Sequence, residues 1–226
     1  MPSYPNKHME VILPSKPDVS VVDSIAASST YENDGPVEVM NNVGEGATVK
    51  IKNGGIKING DVEDGAKIEA WAKGGVLRLV KKFLSAGPGG SNGIETEGRT
   101  GNDVTLVSDH NIRINNAGDD LKVKAELTVE AGNLGRNAHV EAGHNIDVGD
   151  VGDNSRLSSG HNLNAATIGK QSSVTTGHSL QATSVDEDCS INSGHTINVG
   201  TAHASASLMA GHRKSVGRYV GQQPSS

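Results

Sequence analysis

The sequence predicts an all-β chain wound as a single-stranded parallel β-solenoid, a right-handed β-helix of about ten coils of 17–20 residues. Three observations carry that reading. The dipeptide Gly-His recurs at 143–144, 160–161, 177–178, 194–195 and 211–212, with Asp109-His110 two periods upstream, so the chain repeats every 17 residues. Apolar residues fall into columns when the copies are aligned. Only five aromatics occur in 226 residues (Tyr4, Tyr31, Trp71, Phe83 and Tyr219), fewer than an ordinary globular core uses.

With Gly143 as position 1, position 4 is Ile112, Val129, Ile146, Leu163, Leu180 and Ile197 in successive copies. Position 6 is Ile114, Ala131, Val148, Ala165, Ala182 and Val199. Position 9 is Ala117, Leu134, Val151, Ile168, Val185 and Ala202, and position 15 is Val123, Val140, Leu157, Val174, Ile191 and Leu208. Polar residues alternate with these over short runs, the two-residue period of a strand with one buried face. No stretch sustains helical spacing. Glycine recurs at positions 1 and 10, where corners with left-handed backbone favour it. Each copy therefore reads as three short strands and three corners, one coil of the solenoid.

Residues 1–34 carry Pro2, Pro5, Pro14 and Pro17 and no repeat, and are expected to form a flexible tail or a cap over the first coil. The solenoid is assigned to 35–212. Val37, Val39, Val43, Ala47, Val49 and Ile51 form one apolar set, and Ile56, Ile58, Val62, Ala66, Ile68 and Ala70 repeat its spacing 19 residues later. Leu77, Leu79 and Phe83 are expected to begin a third coil, which runs into an irregular Gly-rich loop near 85–91. Ile94, Thr96, Thr100, Val104 and Leu106 restore the pattern. In 213–226, Val216 and Tyr219 keep core phase, giving a degenerate last coil and a C-terminal tail. At the strand spacing of a β-sheet such a rod is about 45–50 Å long.

The net charge of −6 disfavours a nucleic-acid binder, and interleaved aromatics for base stacking are missing. The single cysteine, Cys189, sits at an inward position and reads as a small core residue. There is no apolar run of membrane-spanning length and no signal-peptide pattern at the start, so the expected location is cytoplasmic, with export by a signal-less route left open.

Imidazole is a common metal ligand, and position 2 forms a column of His110, His144, His161, His178, His195 and His212, interrupted by Leu127. Stacked coils bring neighbouring rings within about 5 Å. His144, His161, His178 and His195 are therefore candidate metal ligands, weighed against a purely structural ladder, since zinc wants three or four converging groups. Position 2 shares parity with buried positions 4 and 6, which points the rings inward unless the glycine corner resets the alternation. The neighbouring column of Asn111, Thr128, Asn145, Asn162, Ser179 and Thr196 suits capping of corner backbone groups.

Outward position 5 places Glu130 beside Asp147, a spacing compatible with paired carboxylates that cleave glycosides, with Arg113 next to Glu130 as the charge-balancing alternative. No catalytic residue and no cofactor are assigned, and the chain is read as a non-enzyme. Asp147, Asp150 and Asp153 lack the Gly-rich nonapeptide pattern of calcium-binding repeats. Basic residues concentrate at Lys50, Lys52, Lys57, Lys67, Lys73, Arg78, Lys81 and Lys82, and again at Arg213, Lys214 and Arg218. Lys50, Lys52, Lys67, Lys81, Lys82, Arg213, Lys214 and Arg218 are the candidate interaction residues for an acidic protein partner or an anionic membrane surface. The N-terminal tail is a second candidate docking element.

The run Lys57-Ile58-Asn59-Gly60-Asp61-Val62-Glu63-Asp64-Gly65-Ala66-Lys67-Ile68-Glu69-Ala70 resembles the coil pattern of bactofilins and related polymer-forming bacterial β-helix repeats. The resemblance is best over 35–84 and looser over 94–210. It implies right-handed triangular β-helices that polymerise through their ends, bind no nucleotide and serve as cytoplasmic scaffolds. The Gly-His column, smaller core residues and the loop at 85–91 depart from it. The later Gly-His-Asn repeats are also similar to those of filamentous haemagglutinin-type adhesins. The expected function is a self-assembling scaffold with itself as partner; a protein-binding effector or adhesin-like module and a polysaccharide-acting enzyme are the alternatives.

Overall fold

Alternation in the sequence becomes strands with one face inside. Val37 and Val39 are buried while Glu38 turns outward, and Ile112 and Ile114 do the same around Arg113. The computed structural model describes residues 19–71 and 93–221, and every regular element among them is a strand. The first six are β1 (Ser20–Val22), β2 (Thr30–Asp34), β3 (Val37–Val39), β4 (Thr48–Lys52), β5 (Ile56–Ile58) and β6 (Lys67–Trp71). After 72–92 come β7 (Gly93–Thr96), β8 (Thr105–Ser108), β9 (Asn111–Ile114), β10 (Lys122–Ala125), β11 (Val129–Ala131), β12 (His139–Ala142) and β13 (Ile146–Asp147). The series ends with β14 (Arg156–Ser159), β15 (Asn162–Ile168), β16 (Ser173–Thr176), β17 (Ser179–Val185), β18 (Ser190–Ser193), β19 (Thr196–His203), β20 (Ser207–Ala210) and β21 (Arg213–Val220).

Odd-numbered strands form one parallel sheet of 11 strands and even-numbered strands a second of 10, so each coil adds one strand to each sheet. The protein is a β-solenoid. Register is exact in columns: Ile112 pairs with Val129, Val129 with Ile146, and Ile146 with Leu163. The third side is a line of isolated bridges (Ile25, Val43, Val62, Thr100 and Ala117, then Leu134, Val151 and Ile168) instead of a third sheet. From β15 onward this side merges into the first sheet, whose strands lengthen to seven or eight residues. Inside lies a single continuous core of Val, Ile, Leu and Ala columns. Cys189 is part of it; burial lifts its thiol above the ordinary value, and its Sγ donates to the Gly169 carbonyl at 3.1 Å.

Two boundaries differ from the sequence reading. The described rod starts before Gly35: Ser20 pairs with Val37, Thr30 with Thr48, and Ile25 bridges to Val43. Ser20 and Ala26 stand where later coils carry larger apolar or Gly residues, which hid this coil. Ile56 pairs directly with Ile94 and Ala70 with Ser108, so no layer separates those coils. The expected coil at Leu77 and the loop at 85–91 lie outside the described residues. The chain after His212 contributes one strand, β21, in the phase expected for Val216 and Tyr219.

Corners also divide their labour differently. The left-handed backbone is held by Asp103, Asp120, Asn137, Asn154, Gln171 and Asp188, with φ between 50° and 61°. Asn and Asp tolerate that region because their short polar side chains bond locally. The position-1 glycines serve close approach: a Cβ on Gly177 would overlap the carbonyl oxygen of Gly160 in the coil beneath. Replacing Gly177 with Ala is expected to lower stability by about 1–3 kcal/mol, because backbone has to shift to admit the methyl. Asn154→Gly, which keeps the left-handed geometry open, is expected to cost less. Thermal or urea unfolding of the two variants measures the difference.

Candidate functional site

Stacking dictates what each polar side chain can reach: its own equivalent one layer away. His161, His178, His195 and His212 obey this directly. Their rings stack at centroid separations of 5.0, 4.9 and 4.8 Å, with planes within 10° of parallel. They are exposed, as is His144, so of the two orientations left open for this column the outward one holds. The corner breaks the alternation: Ser159 is buried, Gly160 and His161 are exposed, Asn162 is half-buried and Leu163 is buried again. Backbone bonds continue through the corner, with His178 N–H donating to His161 O at 2.8 Å and His195 N–H to His178 O at 2.9 Å.

Parallel rings aim their nitrogen lone pairs side by side, whereas a tetrahedral metal needs them to converge. No group of three or more His, Cys, Asp or Glu among the described residues could hold a metal ion. The Nδ1 atoms of His178 and His195 instead share hydrogen bonds with Ser179 Oγ at 2.9 Å and Thr196 Oγ1 at 2.8 Å. Asn111 and Asn145 in the same polar column accept the N–H groups of Thr128 and Asn162, both at 3.2 Å. His110 differs from the rest of its column. Its Nδ1 lies 2.9 Å from Asp109 Oδ1.

Carboxylates are committed to neighbouring layers as well. Glu130 and Asp147 do face each other in register, but Glu130 receives Arg113 at 2.6 Å and Asp147 accepts the Asn164 amide. The hydrogen bond to Glu130, and then its charge, raises the Arg113 guanidinium above its ordinary value. Asp61 and Asp64 line a shallow corner groove, yet each accepts a backbone N–H, from Arg99 at 2.6 Å and Asn102 at 2.7 Å. Asn102, Asp119, Asn116 and Asn133 repeat that bond toward the next coil. Sequence reading missed this ladder. Its signal is the recurrence of Asn or Asp at positions 8 and 11.

The basic face is largely neutralised. Lys50 and Lys52 lie 3.7 and 3.9 Å from Glu32, Lys57 is 2.7 Å from Glu97, and Lys67 is 3.0 Å from Glu69. Lys81 and Lys82 lie outside the described residues. Arg213, Lys214 and Arg218 stand apart, together on β21 at the end of the first sheet. Lys214 continues the inward column of Ile197 and donates to Leu208 O at 3.3 Å. At the opposite end β1 leaves Val21 62% exposed, and at this end Tyr219 is 44% exposed. The two edges are thus where the rod's backbone and side chains lack a neighbouring layer.

No protein family, curated protein or solved structure matches the chain. None of the described elements is a helix long and apolar enough to cross a membrane.

Hydrogen-bonded carboxylates lead to an expected loss of stability in acid. Asp119 is held below the usual carboxylate range by the Arg136 N–H and then its side chain, and Glu141 by hydrogen bonds from His139 and then Lys124. A depressed carboxylate contributes stability in full above its ordinary pKa of about 4, and that stability is lost as pH falls through the folded value. Melting temperature is expected to fall on the acid side. Asp119→Asn, which keeps an acceptor for Arg136 N–H, should flatten that fall and cost less at neutral pH than Asp119→Ala.

Proposed function

We propose that this protein is a non-enzymatic structural rod that assembles with copies of itself through its ends. The observation that supports the reading is the pair of open edges. β1 and β21 each pair on one side only, and no described element lies over either. An unpaired parallel edge offers a row of N–H and C=O groups for another strand. Along the shaft, by contrast, the acids that stand closest together are engaged with the adjacent coil, and the imidazoles run parallel. Such a shaft suits spacing and bearing load better than converging on a substrate. The likeness of residues 57–70 to polymer-forming repeats agrees with this reading.

Negative-stain electron microscopy with light scattering on the full chain tests it. Rows of end-joined rods, and a mass that climbs with concentration, are expected. A 23.3 kDa particle that stays monodisperse as concentration rises would sink the reading.

A further inference from the structure

Cross-layer ion pairing is how this rod satisfies its charged side chains. Arg113 pairs with Glu130, Lys122 with Asp103, Lys124 with Glu141, Arg136 with Asp119 and Lys170 with Glu187, each across adjacent coils. Charges on a terminal layer have one neighbouring layer instead of two. The first described layer, 19–36, carries Asp23, Glu32 and Asp34 and no basic residue. From Cys189 to Gly221 there is no acidic residue, and β21 carries Arg213, Lys214 and Arg218. Asp23, Arg213 and Arg218 are exposed; Asp23 bonds only Ser24 and Asn41, and Arg213 and Arg218 make no side-chain ion pair among the described residues. The unpaired charges at the two ends are of opposite sign.

We propose that the rod assembles head to tail, with the basic β21 edge of one copy against β1 and the adjoining Asp23 of the next; this rests on the self-assembly reading above. Continuing the existing columns by one layer fixes the contact. Val199 pairs with Val216, and the same column begins at Val22, so Val22 of the incoming copy meets Val216. Ala202 pairs with Tyr219 in the column that begins at Ile25, so Ile25 meets Tyr219. Asp23, between them, meets Gly217 and lies beside Arg218 in β21. Apolar thus faces apolar in these two columns and acid lies beside base, while in the column of Ile197 the Lys214 side chain meets the small polar Ser20. One strand position stays open in the second sheet between β20 and the incoming β2, beside the points where the described chain ends at Gly221 and begins at Val19.

Joining like ends is disfavoured twice. It sets the three cations of β21 against three cations, or brings the Asp23 carboxylates of two copies to one junction, and a two-fold contact reverses strand direction and breaks the columns. A head-to-tail contact along the rod axis does not close on itself, so it produces open filaments with every copy pointing the same way.

Charge reversal tests this. Asp23→Arg and Arg218→Asp are each made in the full chain, with melting temperature confirming the fold, since both sites are exposed. Each variant alone is expected to need about tenfold more protein to assemble, or not to assemble, because like charges then meet. An equal mixture of the two restores assembly as alternating filaments, because each mutant end then finds an opposite charge. Wild-type assembly is also expected to weaken as salt rises from about 0.05 to about 0.5 M. If wild type assembles but neither reversal, mixing nor salt changes it, head-to-tail pairing is overturned while self-assembly stands. If wild type never assembles, both fall.

Discussion

In-register parallel stacking is the constraint on which everything else in this rod depends. Each residue lies one strand spacing, about 4.8 Å, from its own equivalent in the next coil. A residue type is therefore chosen for a column and seldom for a single site. Apolar columns fill the lumen, Asn and Asp columns carry hydrogen bonds from corner to corner, and the imidazoles of His161 to His212 stack face to face. Like charges in one column repel, and direct neighbours show how that is managed. The position-5 column places Arg113 on one side of Glu130 and follows Asp147 with Asn164, Gln181 and Asn198, so the adjacent carboxylates Glu130 and Asp147 are flanked by a cation and an amide.

The same constraint explains what was legible in the sequence. A buried column repeats its chemistry, so Ile112 to Ile197 and Val123 to Leu208 announce both the strands and their faces. Corners announce less. Two exposed residues in succession, Gly160 and His161, reset the parity at the glycine corner, which decides the orientation that alternation alone left open. Glycine at positions 1 and 10 marked the corners for another reason than the one inferred, overlap with the coil below, while the left-handed position is held by Gly46 and Gly65 in early coils and by Asp, Asn or Gln in the 17-residue coils. The first coil was hidden because Ser20 occupies the column that elsewhere holds Val, Ile or Leu. The direct pairing of Ile56 with Ile94, across 38 residues, was hidden because Leu77 and Leu79 also alternate, and alternation alone does not say which strand is the neighbour.

Candidate chemistry was less legible than fold for a related reason. Sequence spacing placed Glu130 beside Asp147 and His178 beside His195, and the structure does bring each pair together. Proximity along a column is a by-product of the repeat, though, and says nothing of convergence. Parallel rings do not form a ligand set, and a carboxylate bonded to Arg113 is not poised as a free base. The basic cluster of 50–67 dissolves in the same way, since Glu32, Glu69 and Glu97 from the same or adjacent coils meet its lysines.

Stability in a stack of repeats is close to a sum over neighbouring layers. Interior coils have two neighbours and end coils one, so the ends are both the least stabilised part of the rod and the part with unspent bonding capacity. Evolution can blunt such an edge with inward charge, and Lys214 in the column of Ile197 does so. Lys214 also ties itself to Leu208 O, which anchors the last strand to its own coil. A uniformly blunted edge would repel every strand, but this one still presents Val216 and Tyr219 in core phase. Under the head-to-tail proposal, charge on such a surface would act as a filter, rejecting a second basic edge and admitting an acidic one. The chain's own first coil, which carries Asp23 in the matching column register, has the sign and spacing that proposal requires.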